Sequence, residues 1–379
     1  MKITLICDVY DSTSNGSTIT CYRLKEGLKK RGHKVQIVCA SDKKDPDIFP
    51  VPKRSFGIFN SYVAKNDVVL AKKDYAAVSK AVKDSDLVHI MIPFVCGKLA
   101  IKAAKEFHVP TTAAFHVQPE NVSVHFGMRK FPPANSMLYF YFKHKIFKHV
   151  DYIHCPSNFI ANILDKHGYS AKKYVISNGV TDIFKRKHQN KPANLKDKFC
   201  IFTSGRFSSE KRQELLIKAA DLSSHKEDIC LIFAGKGPQE NSLKKLAAKK
   251  SVAAEFMFFD NPDDLCKAMN YCDLYVHASD VEIESMACLE AITAGMVPVI
   301  SDSKQSAAGH FALHKENLFA SGNAKDLADK IDYFIENPEI KKQMSDEYVK
   351  YTKQFRIDDC IDAMVGMFND AIKTKAIPK

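Results

Sequence analysis

The 379-residue chain contains no run of the about 18 to 20 consecutive apolar residues that a membrane-spanning helix requires, so no such helix is expected. Residues 1–8 are too short for the apolar core of a secretory leader and end in a charge, so the protein is expected to stay in the cytoplasm. No Cys-x-x-Cys pair occurs among the eleven cysteines, which are scattered from Cys7 to Cys360. Neither a zinc site nor a disulfide framework is expected, and the thiols read as reduced core residues. There is no internal repeat, no low-complexity tract and no helix-turn-helix or RNP sequence, which leaves a nucleic-acid-binding reading without a recognition element.

What is present is the composition of a folded protein, 45% hydrophobic and 26% charged. The length suits two domains of roughly 150 to 200 residues each. The net charge of +12 is unevenly held. Residues 1–187 carry 30 Lys and Arg against 15 Asp and Glu, whereas residues 188–379 carry 26 against 29, so the basic excess belongs to the first half alone. Such a half suits an anionic partner, either a nucleic acid or a membrane rich in anionic lipid; a solvated lysine-rich face is the alternative.

Short β-type runs alternate with helix-length segments from the first residue onward. Segments 2–7, 34–39, 87–91, 111–115, 152–155 and 174–176 read as buried strands of a parallel, Rossmann-like sheet. The polar, proline-containing segment 185–194 reads as an interdomain linker. Beyond it the alternation restarts, with strands at 199–203, 230–233, 256–259, 274–277 and 297–300 and helices near 210–222, 238–250, 263–271 and 285–294. From about residue 324 the pattern is helical, with a break near 354–356. The expected domains are therefore 1–187 and 188–355, followed by a last helix over about 356–379.

The densest chemical signal is Asp280-Val281-Glu282-Ile283-Glu284-Ser285-Met286-Ala287-Cys288-Leu289-Glu290, followed by Gly295 and a strand introduced by Pro298. It reads as a strand end, an acidic loop, a helix and a glycine-terminated turn. Glu282 and Glu290 lie eight residues apart, roughly 12 Å if the chain between them is mostly helical. That spacing fits one extended ligand gripped at two ends, and it exceeds the about 5 to 5.5 Å of a retaining glycosidase's carboxylates. Upstream, Gly205-Arg206 and Glu210-Lys211 close the first strand of the second domain with two cations where a helix begins, a combination suited to a diphosphate. Gly235-Lys236-Gly237 ends the next strand with two glycines that allow close backbone approach. Singly, these are an exposed cap, a structural turn and two surface glutamates; together they suggest one site.

In this order, and with Ser177-Asn178-Gly179-Val180 ahead of them, these motifs resemble the retaining nucleotide-sugar glycosyltransferases of family 4. The resemblance covers nearly the whole chain. It implies an α/β fold of GT-B type, two Rossmann-like domains facing across a cleft, with the last helix crossing back to the first domain. By the same resemblance Glu290 holds the ribose of a UDP-sugar, Glu282 the sugar, and Arg206 with Lys211 the diphosphate. Gly235 and the backbone of Ile283, Glu284 and Ser285 would face the donor. Gly16, in Asn15-Gly16-Ser17, would approach the donor phosphate and His116 would sit beside the sugar; without the resemblance His116 reads as a buried, satisfied histidine. No cofactor and no metal ion is implied. The family usually places glycine, an aromatic residue and another glycine where this chain has Ile283-Glu284-Ser285. That variant, with Phe115-His116-Val117-Gln118 and Ile153-His154-Cys155-Pro156-Ser157, is similar to bacterial diacylglycerol and cholesterol α-glucosyltransferases, whose usual donor is UDP-glucose.

Residues 128–150 point to a lipid acceptor on their own account. Aromatics alternate there with Arg129, Lys130, Lys143, Lys145 and Lys148, and no acid occurs between Asn121 and Val150. Such a segment suits a bilayer interface with its cations near anionic headgroups; a core-packed helix with a basic outer face is the alternative. Residues 53–59 offer a second contact. The expected activity is retaining transfer of glucose from UDP-glucose to a lipid hydroxyl at the inner face of the cell membrane. A soluble sugar or polysaccharide acceptor, or UDP-galactose as donor, is the alternative. Asp45-Pro46-Asp47 and Asp84-Ser85-Asp86 are the carboxylate pairs of metal-site spacing; both fall away from the inferred cleft.

Overall fold

The computed structural model describes residues 1–10, 16–42, 45–55, 71–125 and 132–376. They form two compact units, residues 1–178 with the chain from Ile357 onward, and Gly179–Arg356. The first unit holds a seven-stranded sheet, in order β3-β2-β1-β4-β5-β6-β7, built from Lys2–Ile6, Lys34–Cys39, Ile48–Pro50, Leu87–Ile90, Thr111–Ala114, Tyr152–Cys155 and Lys172–Val175 as β1 to β7. The second unit holds six strands, in order β10-β9-β8-β11-β12-β13, from Phe199–Ser204, Ile229–Ala234, Ala254–Met257, Leu274–His277, Pro298–Ser301 and Leu318–Phe319 as β8 to β13. All described strand pairs are parallel. Helices cover both faces of such sheets, which is why central strands such as Ile229–Ala234 are buried at every position and read as unbroken apolar runs.

The short edge strands Ile48–Pro50 and Leu318–Phe319 are absent from the expected set, because two or three residues are too few to show a period. The strand expected at 256–259 lies two residues earlier, at Ala254–Met257. The segment 185–194 is not a free linker. Arg186 Nη1 bonds Asp346 at 2.6 Å, the Lys187 amide donates to Asn270 at 2.5 Å, and Lys191 Nζ reaches Asp273 at 2.5 Å, all within the second unit. Its polar composition belongs to a surface strap, and the chain passes between units at Asn178 and again at Arg356.

The last helix, Ile357–Ala376, packs on the first helix, Gly16–Lys30. A Cβ on Gly27 would lie 2.7 Å from Ile361 Cγ1, so glycine is what permits the close crossing. Arg31 ties the pair through Asp358 and Asp362, over buried Ile361, Met364, Met367 and Phe368. All eleven cysteines are free thiols and only Cys272 is not fully buried. Among the described residues no helix is long and apolar enough to cross a membrane.

Candidate active site

In the second sheet β8 has β9 on one side and β11 on the other, so the strand order reverses there. Ligands of open α/β sheets bind outside the carboxyl ends of the strands at such a point. The turn after β8 carries Arg206 and Lys211; the loop after β11 carries Glu282. Backbone bonds lock the two together, since the Glu210 carbonyl accepts from the Asp280 amide at 2.8 Å and from Ser279 Oγ at 3.2 Å. Lys211 Nζ then donates to Glu282 Oε1 at 2.6 Å. Burial alone would raise the Glu282 carboxyl, but the ammonium of Lys211 and a bond from His277 outweigh it and hold the group down at about 2. Burial works against the charged form of Lys211 too, and Glu282 more than offsets it, so the ammonium is held above its ordinary range.

His277, at the end of β11, contacts the same carboxylate oxygen. Its Nε2 lies 3.0 Å from Glu282 Oε1 and 3.0 Å from Ser285 Oγ, while Nδ1 lies 3.0 Å from the Tyr275 hydroxyl. A carboxylate only accepts, so the proton sits on Nε2 and the hydroxyl faces Nδ1. Ser285 takes the left-handed conformation, φ 76°, at the start of the helix Met286–Thr293. Here the family's glycine has a conformational reason, because such a φ costs a side-chain-bearing residue about 1–2 kcal/mol. The hydroxyl bond to His277 anchors the serine that replaces it. Neighbouring Arg212, also left-handed at φ 52°, bonds Asp280 at 2.9 Å and Glu214 at 2.7 Å.

Among the described residues of the first unit, His89 and His154 are buried within β4 and β6, and His116 and Asp8 are buried just beyond β5 and β1. His154 Nε2 donates to the Ile176 carbonyl at 2.7 Å and His89 Nδ1 lies 2.8 Å from Thr112 Oγ1. His116 meets His154 edge-on, with ring centroids 5.2 Å apart. His116 Nε2, His89 Nε2 and His154 Nδ1 have no partner among the described residues. His116 is thus buried but not satisfied, and it lines a small pocket of about 20 Å³ with His154, Met91, Leu24 and Met364. Burial pushes all three rings down, His154 to about 4. The unfolded chain binds these protons first, so their contribution to stability is complete above about pH 6.5 and is lost as pH falls, to pH 4 for His154. For His154 alone the loss amounts to about 3 kcal/mol. Asp8, raised to about 6 by burial, runs the other way between pH 6 and 4. Urea denaturation at pH 7 and pH 5 is expected to show the net loss, and His154→Phe is expected to flatten it.

Two family models match the chain. That described as "Glycosyltransferase Family 4" matches residues 14–182 and that described as "Glycosyl transferases group 1" matches residues 184–354. The chain belongs to glycosyltransferase family 4. It is an enzyme, a hexosyltransferase, and its two parallel-sheet units are those of the GT-B fold. An alpha-monoglucosyldiacylglycerol synthase of Streptococcus pneumoniae is 27% identical over 79% of this chain and 71% of its own length. The structure of Anabaena Alr3699/HepE in complex with UDP-glucose covers 98% of this chain and 100% of its own at 16% identity, with a TM-score of 0.76. The catalytic domain of cholesterol-alpha-glucosyltransferase from Helicobacter pylori is 48% identical over 41% of this chain and 97% of its own, with a TM-score of 0.38.

In this glycosyltransferase the remaining motif residues fall as follows. Gly235 and Gly237 have a packing reason: a Cβ on Gly235 would lie 2.0 Å from the Gly205 carbonyl oxygen, and one on Gly237 2.4 Å from that of Phe207. The 235–237 turn therefore supports the Arg206 turn. Gly235→Ala is expected to lower the thermal midpoint, by about 1–3 kcal/mol of stability. A Cβ on Gly16 would meet nothing within 4 Å. Glu290 lies half-buried on the helix Met286–Thr293. The chain from Glu282 to Ser285 is not helical, so the helical rise behind the roughly 12 Å spacing applies only from Met286 onward. Arg129, Lys130, Asn15 and residues 56–59 lie outside the described residues. Asp47 is bonded by Lys29 at 2.6 Å and lies 3.1 Å from Lys25, which also sits 3.6 Å from Asp45. His277, Tyr275 and Arg212 are the site residues that sequence patterns missed; a histidine at a strand end carries no signal until its partners are known.

Proposed function

We propose that this glycosyltransferase moves glucose from UDP-glucose to the hydroxyl of a membrane lipid, diacylglycerol or a sterol, with retention of the anomeric configuration. The donor half of the reading rests on the arrangement at the ends of β8 and β11. Arg206 and Lys211 supply positive charge for a departing diphosphate, and Glu282 supplies a carboxylate for sugar hydroxyls. Glu290 takes the ribose. The bond from the anomeric carbon to the diphosphate oxygen breaks, the acceptor oxygen bonds the same face of that carbon, and the acceptor's proton passes to the departing diphosphate oxygen. His116 is assigned beside the sugar.

The observation that carries the acceptor half is the helix Pro132–Lys145. Tyr139, Phe142, Ile146 and Phe147 are buried, so part of this segment is core, yet Met137 is 68% and Phe140 64% exposed beside exposed Lys145 and Lys148. The segment thus has a packed side and an outer side that is apolar and cationic, and the outer side supports the reading of contact with an anionic bilayer. The name of the pneumococcal relative fits the same acceptor class. The test is transfer from UDP-glucose and UDP-galactose to diacylglycerol, sterol and soluble sugars in vesicles, with the product linkage read by NMR. An α-glucosyl lipid is expected. Activity is expected to survive EDTA, because the lysines on Asp45 and Asp47 already fill the place a cation would take and Arg206 with Lys211 supply the charge at the diphosphate. Transfer to soluble sugars alone would overturn the lipid reading.

A further inference from the structure

We propose that His277 is a positioning residue for the donor sugar, holding Glu282 so that one carboxylate oxygen is kept for the ligand. The proposal rests on the reading of Glu282 as the sugar-binding carboxylate and adds how that carboxylate is aimed. Lys211 and His277 both bond Oε1, at 2.6 and 3.0 Å. Both bonds fall on Oε1, so the two donors fix the carboxylate's rotation and set the direction in which Oε2 is presented. His277 is itself fixed at its other nitrogen by the buried Tyr275 hydroxyl and, beside Nε2, by Ser285. The residues Tyr275, His277, Glu282 and Ser285 thus form one chain of contacts. It runs from the core of β11 to the loop where this chain departs from the family's glycines. The glycine-poor loop is held by side-chain bonds rather than by glycine turns, and the bonds converge on the carboxylate.

A residue that only stabilised the second unit would affect every ligand of that unit alike. UDP lacks the hexose, so UDP and UDP-glucose separate the two roles. His277→Leu is expected to raise the Kd and KM for UDP-glucose about tenfold, the scale of one lost hydrogen bond to a charged partner. The Kd for UDP is expected to change less than about twofold, well below that hydrogen-bond scale. His277→Gln, whose amide can donate from a similar place, is expected to restore most of the UDP-glucose affinity. Tyr275→Phe, which leaves Glu282's two donors in place, gives a second variant should His277→Leu not fold, and a smaller rise in the UDP-glucose KM is expected for it. Equal weakening of UDP and UDP-glucose, or no change in either, would overturn the proposal. If the unaltered protein binds UDP but gains nothing from the hexose, the assignment of Glu282 to the sugar fails first, and the role of His277 falls with it.

Discussion

Lys211→Ala is expected to lower kcat/KM for sugar transfer by about 10² to 10³, the usual cost of removing one preorganised electrostatic donor from a transition state that develops charge. Two effects combine in that variant. The ammonium that would face the departing diphosphate is gone. Glu282 also loses the stronger of its two Oε1 partners, at 2.6 Å, and burial is then opposed only by the bond from His277. Its carboxyl, held at about 2 in the unaltered protein, is expected to rise. The sign of the stability effect follows. A depressed carboxyl contributes stability that is fully present above its ordinary value of 4.5 and is lost as pH falls toward 2. The variant is therefore expected to be less stable at neutral pH and to lose less on acidification below pH 4.5. Lys211→Arg keeps the charge and is expected to retain part of the rate. Steady-state kinetics with UDP-glucose, alongside acid titration of unfolding, check both halves. A folded Lys211→Ala with near-normal kcat would remove this lysine from the diphosphate site.

Lys145→Glu with Lys148→Glu is expected to abolish sedimentation with anionic vesicles. Each cation near an anionic leaflet contributes about 1 kcal/mol, and each reversal turns attraction into repulsion of similar size. Two reversals amount to about 4 kcal/mol, roughly a thousandfold in partition. Lys143 is left out because its ammonium lies 3.3 Å from the His167 carbonyl, so changing it would disturb packing as well as charge. Added salt should weaken binding of the unaltered protein in the same direction, and the apolar contribution of Met137 and Phe140 should survive the salt. UDP affinity, which the proposed donor site assigns to the second unit, is expected to be unchanged. Vesicle binding that persists in the folded double variant would assign this helix to packing alone and favour a soluble acceptor.

Much of the site was legible because its motifs are local. Gly205-Arg206, Glu210-Lys211 and Glu282 follow strands whose apolar runs mark where they end, and the fold puts the ends of β8 and β11 side by side. The spacing argument for Glu282 and Glu290 assumed a helix that the left-handed Ser285 interrupts, since one residue's φ leaves no trace in a hydrophobic pattern. The polar strap 185–194 misled for a related reason. Ion pairs to Asp346 and Asp273 stabilise it, and their partners are far away in sequence.

The sequence by itself determined the α/β alternation, the buried parallel strands, the family and the positions of the cationic turn and the acidic loop. Burial on both faces forces apolar runs, and close turns force glycine, so these constraints are written into neighbouring residues. Only the tertiary structure decided which atoms meet. It placed Lys211 on Glu282 across 71 residues and turned Tyr275 and Ser285 onto His277. It also buried His116, His89 and His154 together. Hydrogen bonds of this kind depend on distances of a few tenths of an ångström between side-chain atoms, and that geometry exists only once the sheets have formed.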